Sequence, residues 1–238
     1  MKKAIIIGAS SGIGKGLAML LAQNNYKVGI TGRRTNLLEK IKEPNPICFI
    51  TKTFDITNTE KSIIQLNELA NELGAIDLII FCSGIGDINN SLDFTIEKQT
   101  IDTNVLGFTN IIDWSYNLFE KQGYGQLVTI SSIGGIRGSS QAPSYNASKA
   151  FQINYLEGLR QKSTKSKNHI IVTDIRPGLV DTDMAKGENL FWLMPVEKVT
   201  KQIFYAIKKK RKVAYVSKRW RLIAMILKIL PRFIYSKL

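Results

Sequence analysis

The chain has 238 residues, 44% of them apolar, enough to build a substantial core in one α/β body and to exclude disorder as its main state. A formal net charge of +14 suggests a nucleic-acid partner until it is located: residues 208–238 hold 11 Lys/Arg and no Asp or Glu, leaving residues 1–207 with 22 basic against 19 acidic groups. A single histidine, His169, excludes multi-His metal sites, and Cys48 and Cys82, with 33 residues between them, support neither a disulfide framework nor a Cys-based metal cluster.

From the start of the chain, only four apolar residues separate Lys3 from Gly8, too few for a secretory h-region, so a reducing, cytoplasmic setting is expected. Short apolar or β-branched runs follow at 4–7, 27–31, 47–53, 76–82, 126–131, 170–175 and 213–216. Between them lie segments with helical spacing, such as Ile63, Leu66, Leu69, Ala70 and Leu73, long enough for right-handed crossovers. This alternation predicts an α/β fold: a doubly wound, mostly parallel seven-stranded sheet of Rossmann type with helices on both faces. Runs such as Ile5, Ile6, Ile7 and Leu78, Ile79, Ile80 are apolar without alternation, as strands covered on both faces require. His169, just before the sixth run, reads as a partly exposed strand-edge residue without a catalytic part.

Directly after the first strand comes Gly8, Ala9, Ser10, Ser11, Gly12, Ile13, Gly14, and then a helical run. Strand, glycine loop and helix stand in the order that dinucleotide binding requires: glycines permit the tight turn and close backbone approach, and the helix N-terminus meets the pyrophosphate. An NAD site would place an acid at the end of the second strand, about 20 residues past the loop. Here Gly32, Arg33, Arg34 stand there, and guanidinium groups suit a 2′-phosphate, so NADP(H) is favoured over NAD(H), with Ser10 placed to join the arginines and Arg33 expected to carry most of the preference.

Further along, Tyr145 and Lys149 are four residues apart in a segment of helical character and so share a face, where an ammonium favours a phenolate. Ser132 lies thirteen residues upstream, at the end of the fifth strand. This Ser-to-Tyr separation, the YxxxK pair and the GxxxGxG loop together resemble the short-chain dehydrogenase/reductase family, over about residues 1–217. The family's usual Thr before the loop is replaced by Ile7, and its NNAG after the fourth strand reads Phe81, Cys82, Ser83, Gly84, keeping the final Gly.

The resemblance implies hydride transfer between a nicotinamide and a carbonyl or alcohol carbon. Tyr145 would donate or accept the proton, Lys149 would lower its pKa and hold the ribose, and Ser132 would hydrogen-bond the substrate oxygen. Asn104 corresponds to the family's helix Asn that holds a relay water, Gly84 borders the cofactor, and Pro177, Gly178 and Thr182 match the PGxxxT stretch beside the nicotinamide. Asp55 corresponds to an adenine-contacting Asp, although a helix N-cap role fits it equally. Residues after this stretch form a lid in the family, and Leu190, Phe191, Trp192, Leu193 and Met194 would either line an apolar substrate wall or pack the lid onto the body.

Residues 1–217 thus read as a dinucleotide-binding oxidoreductase domain and residues 218–238 as a basic, apolar helical extension broken near Pro231. On a helical wheel Lys218, Arg221, Met225, Lys228 and Arg232 fall on one narrow, mostly cationic stripe that faces a wide apolar remainder, too interrupted to span a bilayer. Two roles stay open for it: an anchor on an anionic membrane surface, or packing on the body or within a homo-oligomer, which is the expected assembly. Nucleic acid is not expected as a partner. The functional expectation is an NADP(H)-dependent oxidoreductase acting on a small apolar ketone or secondary alcohol; the alternative is a non-catalytic NADP(H)-binding regulatory or membrane-surface scaffold protein.

Overall fold

The first apolar run forms β1 (Lys2–Ile7), and its side chains divide between two cores. Ala4 and Ile6 point to one face of the sheet and Ile5 and Ile7 to the other, all fully buried, because successive side chains of a strand alternate in direction. In the computed structural model, which describes residues 1–185 and 192–237, β1 is joined by β2 (Tyr26–Gly32), β3 (Phe49–Thr53), β4 (Leu78–Phe81), β5 (Tyr124–Ile130), β6 (His169–Pro177) and β7 (Val213–Val216). Every pairing is parallel, and the order β3-β2-β1-β4-β5-β6-β7 makes one seven-stranded sheet. The doubly wound Rossmann arrangement expected from the alternating pattern is therefore present.

On the face of Ala4 and Ile6 lie α1 (Gly12–Gln23), α2 (Thr35–Lys42) and α7 (Val196–Lys208). Leu17, Ala18 and Leu21 of α1 and Val199, Ile203, Ala206 and Ile207 of α7 recur at spacings of three and four, which puts them on the faces turned to the sheet. The other face carries α3 (Thr59–Leu73), α5 (Phe108–Gln122) and α6 (Pro143–Lys165), with Leu66, Leu69, Phe108, Ile112 and Leu156 in one buried cluster with Ile5 and Ile7. The short α4 (Phe94–Ile101) precedes α5. After β7 come α8 (Lys218–Ile229) and α9 (Arg232–Tyr235), separated at Pro231 as the sequence indicates.

Two strands are shorter than the runs that foretold them. Ile47 is exposed ahead of β3, and Ile76 is held outside β4 because its backbone N–H and C=O pair with the Gln122 amide, both at 2.8 Å, instead of with a neighbouring strand. The strand order reverses beside β1, where connections leave toward both edges, and a crevice opens at the carboxyl ends of the strands there. Behind it a polar network is sealed into the sheet: Asp174 is fully buried, accepts from Arg176 Nε at 2.7 Å and from the Ser131 hydroxyl, and Arg176 Nη1 reaches the Tyr215 hydroxyl at 3.1 Å.

Candidate active site

The glycine loop leaves β1 through Gly8 at φ +86° and enters α1 through Gly12 at φ +53°, backbone states that side chains other than hydrogen rarely adopt. The N–H groups of Gly8 and Ala9 both donate to the Thr31 carbonyl of β2, at 3.1 and 2.8 Å, which pins the loop to the sheet. A methyl group on Gly14 would stand 2.0 Å from the Gly8 carbonyl oxygen, so the first turn of α1 packs directly on the loop. Ser11 begins α1 from extended backbone without a side-chain cap. Its hydroxyl accepts instead from Arg34 Nη2 at 2.8 Å, and the Ser10 hydroxyl accepts from the same nitrogen at 2.9 Å.

One guanidinium and two hydroxyls are thus gathered at the rim of a helix N-terminus, a donor set suited to a phosphate. Arg33 turns the other way, its Nη1 3.6 Å from Asp55 Oδ2. Asp55 also accepts the Thr57 N–H and hydroxyl, both at 2.9 Å. Burial pushes this carboxyl up, but the two Thr57 hydrogen bonds and the Arg33 charge outweigh it, and the net shift is downward. The cap of α3 is Asn58, which accepts the Lys61 N–H at 3.0 Å, so the N-cap role considered for Asp55 falls to Asn58.

At the other end of the crevice β5 runs into Ser132, whose Oγ accepts the Gly134 N–H at 3.0 Å and caps a 3₁₀ turn over Ile133–Ile136. Tyr145 and Lys149 sit on the first turns of α6. Glycines let these side chains converge: a methyl on Gly134 would lie 3.3 Å from Ser132 Oγ and 3.4 Å from Tyr145 Cε1, and one on Gly86 only 2.5 Å from Tyr145 Cδ2. Lys149 Nζ is 5.8 Å from the centroid of the Tyr145 ring and donates to Gln152 Oε1 at 3.1 Å and the Ile130 carbonyl at 3.4 Å.

Desolvation governs both titrating groups. Burial raises the Tyr145 phenol above its ordinary value, only partly offset by a hydrogen bond with Ser132. It pushes Lys149 down to about 8, opposed by the negative charge of Asp174. The sequence suggests that Lys149 draws the phenol down; burial acts the other way and keeps Tyr145 protonated, because its anion would be taken out of water. Cys82, beside Lys149, is pushed up to about 12 by burial and stays a thiol.

Asn104 is fully buried in a π-helical stretch, Asp102–Gly107, between α4 and α5. Its side chain accepts the Ile85 N–H at 3.0 Å and donates to the Ile85 carbonyl at 2.7 Å and Ser148 Oγ at 3.0 Å, which clasps the loop after β4 to α6. The Asn104 carbonyl accepts Gln152 Nε2 at 2.9 Å, so Gln152 bridges Lys149 to Asn104. Sequence reasoning passes over Gln152; the signal was a polar residue three past Lys149, hence on the inner face of α6. Gly84 keeps this corner open, since a methyl there would stand 3.3 Å from Asn104 Oδ1 and 3.4 Å from Lys149 Nζ.

Both ends belong to one cleft of about 480 Å³. It is lined by Gly8, Ser10, Ser11, Gly12, Ile13 and Gly14, by Arg33, Arg34, Asp55 and Gly84, by Ser132, Tyr145 and Lys149, and by Pro177, Gly178 and Thr182. Asn104 alone of the expected site residues stands behind the wall, reaching the lining through Gln152. Of the two roles open to residues 190–194, packing is the one that Trp192 and Met194 take. Leu190 and Phe191 lie outside the described residues, and Trp192, Leu193 and Met194 do not line the cleft. Met194 is drawn to the body by a backbone ladder with Leu179 and Asp181, and Trp192 packs edge-on against Trp220, ring centroids 6.1 Å apart. Among the described lid residues, Met184 and Ala185 are the apolar contributors to the lining. Among the described residues no cluster of His, Cys, Asp and Glu suits a metal ion, and no helix is long and apolar enough to cross a membrane.

This architecture has relatives. A family model described as short chain dehydrogenase matches residues 2–191. An oxidoreductase of Myxococcus xanthus is 31% identical over 193 residues, covering 79% of this chain and 76% of its own, and the 3-oxoacyl-[acyl-carrier-protein] reductase FabG of Chlamydia muridarum is 32% identical over 192 residues, covering 78% and 77%. Among solved structures, a short chain dehydrogenase from Burkholderia cenocepacia in complex with NADP superposes with a TM-score of 0.84 at 22% identity, covering 100% of this chain and 98% of that one. A short chain dehydrogenase/reductase from Burkholderia phymatum in complex with NAD gives 0.86 at 16% identity, covering 94% and 92%.

Proposed function

The chain belongs to the short chain dehydrogenase family, and from that premise we propose that it is an NADP(H)-dependent oxidoreductase which interconverts a small apolar ketone and a secondary alcohol. The observation that carries the reading is the convergence of Ser132, Tyr145 and Lys149 on the cleft that also contains the glycine loop and the Arg34–Ser10–Ser11 cluster. The residues present fit an extended dinucleotide. Glycines without side chains line the cleft, and a methyl at Gly12 would stand 3.1 Å from Thr182, which also lines it; Arg34 on Ser10 and Ser11 and Arg33 beside Asp55 stand at the end where a 2′-phosphate would lie.

When bound, the nicotinamide supplies the hydride. The chain's own residues then manage the charge that grows on the substrate oxygen. Ser132 Oγ offers a hydrogen bond to that oxygen, and Tyr145 Oη, kept protonated by burial, donates its proton to it. Lys149, an ammonium below about pH 8, holds positive charge beside the phenol as it loses the proton. A raised pKa makes the phenol a weaker acid but keeps it protonated, the form from which carbonyl reduction starts. The carbonyl-reducing name of the Chlamydia relative and the NADP-bound Burkholderia neighbour support the same reading; another neighbour is in complex with NAD, so the cofactor preference is read from the arginines of this chain.

The reading includes a cytoplasmic homo-oligomer: Cys48 and Cys82 are unpaired, and Ile101, Leu106 and Phe151 expose apolar surface on the side of α4 and α6. It is tested by following NADPH oxidation over ketones and aldehydes graded by chain length. Turnover that prefers NADPH and disappears in Tyr145→Phe is expected; cofactor binding without turnover across the panel would favour a non-catalytic binding protein.

A further inference from the structure

The face of α8 turned away from the body is apolar. Leu222, Met225, Ile226 and Ile229 follow at spacings of three and four and are 60, 54, 48 and 81% exposed, and Phe233 of α9 continues the row at 70%. The opposite face is occupied. Trp220 and Ala224 are buried, Arg137 Nη2 donates to the Leu230 carbonyl at 3.0 Å, and the Tyr235 hydroxyl donates to the Gly138 carbonyl. The outer row therefore stays exposed because the inner row is already packed, not because the helix lacks a seat.

Cations border that row. On the helix surface Arg219 lies to one side, Arg221 and Lys228 to the other, and Lys218 and Arg232 at its ends, all exposed, with no acidic residue anywhere in 208–238. A contact with a second copy through the same patch would set these cations against themselves. Anionic headgroups around a shallow apolar layer complement them, and a helix with an apolar row between basic flanks lies in that layer without crossing it.

We infer that α8 and α9 dock the protein on an anionic phospholipid surface, with the mouth of the cleft turned to the bilayer. The orientation follows from the inner contacts: Trp220 packs on Gly178 of the cleft, and Arg137 and Gly138 directly follow the 3₁₀ turn that Ser132 caps. Trp192 and Leu193, 47 and 37% exposed, carry the apolar surface from α8 toward the lid. Docking is independent of the hydride-transfer reading; the orientation deepens it, and rests on it, by making a bilayer-dissolved carbonyl the substrate class.

Co-sedimentation with vesicles of phosphatidylglycerol and phosphatidylcholine, and of phosphatidylcholine alone, tests the docking. The full chain should bind the anionic vesicles and be released as salt rises. Leu222→Ser with Ile229→Ser should cut the partition coefficient at least tenfold, and Arg221→Gln with Lys228→Gln about thirtyfold, at about fivefold per cation, both without change in melting temperature. No binding at low salt, equal binding to neutral vesicles, or a larger particle that the serine pair disperses in light scattering overturns it. The serine pair should keep full turnover on a short water-soluble ketone and lose turnover on a long-chain ketone held in vesicles. Equal loss on both overturns the orientation, and turnover on neither by the unaltered protein overturns the hydride-transfer reading while sedimentation still decides the docking.

Discussion

The face of the Trp220 indole lies against Gly178: a methyl group added to that glycine would stand 2.1 to 2.3 Å from three ring atoms. A residue of α8 is thereby seated on a glycine that lines the cofactor cleft, which joins the basic segment to the chemistry. Gly178→Ala should force the indole away and cost about 1–3 kcal/mol through overpacking. Trp220→Ala, which leaves a void, should cost about 3–5 kcal/mol. Thermal unfolding of both variants measures this, and unchanged melting for either would mean that the indole is not seated on the glycine.

Tyr145→Phe should lower turnover by about 10²- to 10⁴-fold while leaving NADPH affinity within a few-fold, because only the proton donor is removed. Fluorescence titration and steady-state kinetics on the same preparation separate the two quantities. A variant retaining a tenth of the activity would displace Tyr145 from its role.

Lys149 predicts the pH dependence. Its pKa is lowered from the ordinary lysine value to about 8 by burial, so it is charged below that pH and neutral above it. Reduction should be constant on the acid side and decline as pH rises through about 8. The decline is not unfolding: between pH 8 and the ordinary lysine range the unfolded chain binds the extra proton, so this group makes folding more favourable as pH rises. A kcat profile and a melting profile over the same range check both signs.

Cofactor preference should reside in the two arginines. Sequence alone favours Arg33; the structure gives Arg34 the contacts with Ser10 and Ser11 while Arg33 pairs with Asp55. Arg33→Ala and Arg34→Ala should each weaken NADPH about ten- to a hundredfold, as loss of a charge-assisted bond costs about 1.5–3 kcal/mol, and leave NADH within a few-fold. Equal binding of the two cofactors by the unaltered protein would remove the 2′-phosphate site.

Asp174→Ala should be among the most destabilising single changes. The carboxylate is fully buried and neutralises Arg176, itself buried, so its removal strands a guanidinium at a cost of about 3–5 kcal/mol. It also removes the negative charge that opposes the depression of Lys149, so any folded protein should show its alkaline decline at lower pH. Denaturant midpoints and the pH profile of the variant read these two effects.

Short-range pattern explains what could be read from the chain alone. The all-apolar run Ile5, Ile6, Ile7 announces a strand covered on both faces, the glycine spacing from Gly8 to Gly14 announces the loop that α1 packs on, and Tyr145 and Lys149 four apart announce a shared helix face. These are consequences of backbone periodicity and of glycine's missing side chain, and they act within a few residues. The break at Pro231 is legible for the same reason, since proline ends a helix locally.

Packing decided the remainder. Gln152 joins Asn104 to Lys149, Arg34 rather than Arg33 reaches Ser10 and Ser11, and Trp220 closes on Gly178, contacts between residues far apart in sequence that only the sheet and its crossovers bring together. The direction of the Tyr145 and Lys149 shifts was equally hidden, because spacing reveals a neighbouring charge but not how much water the fold removes around it. The tail shows the same limit. Its composition, basic and apolar, is plain in the sequence, but which apolar row faces the body and which faces outward depended on where Trp220 and Ala224 found room to bury.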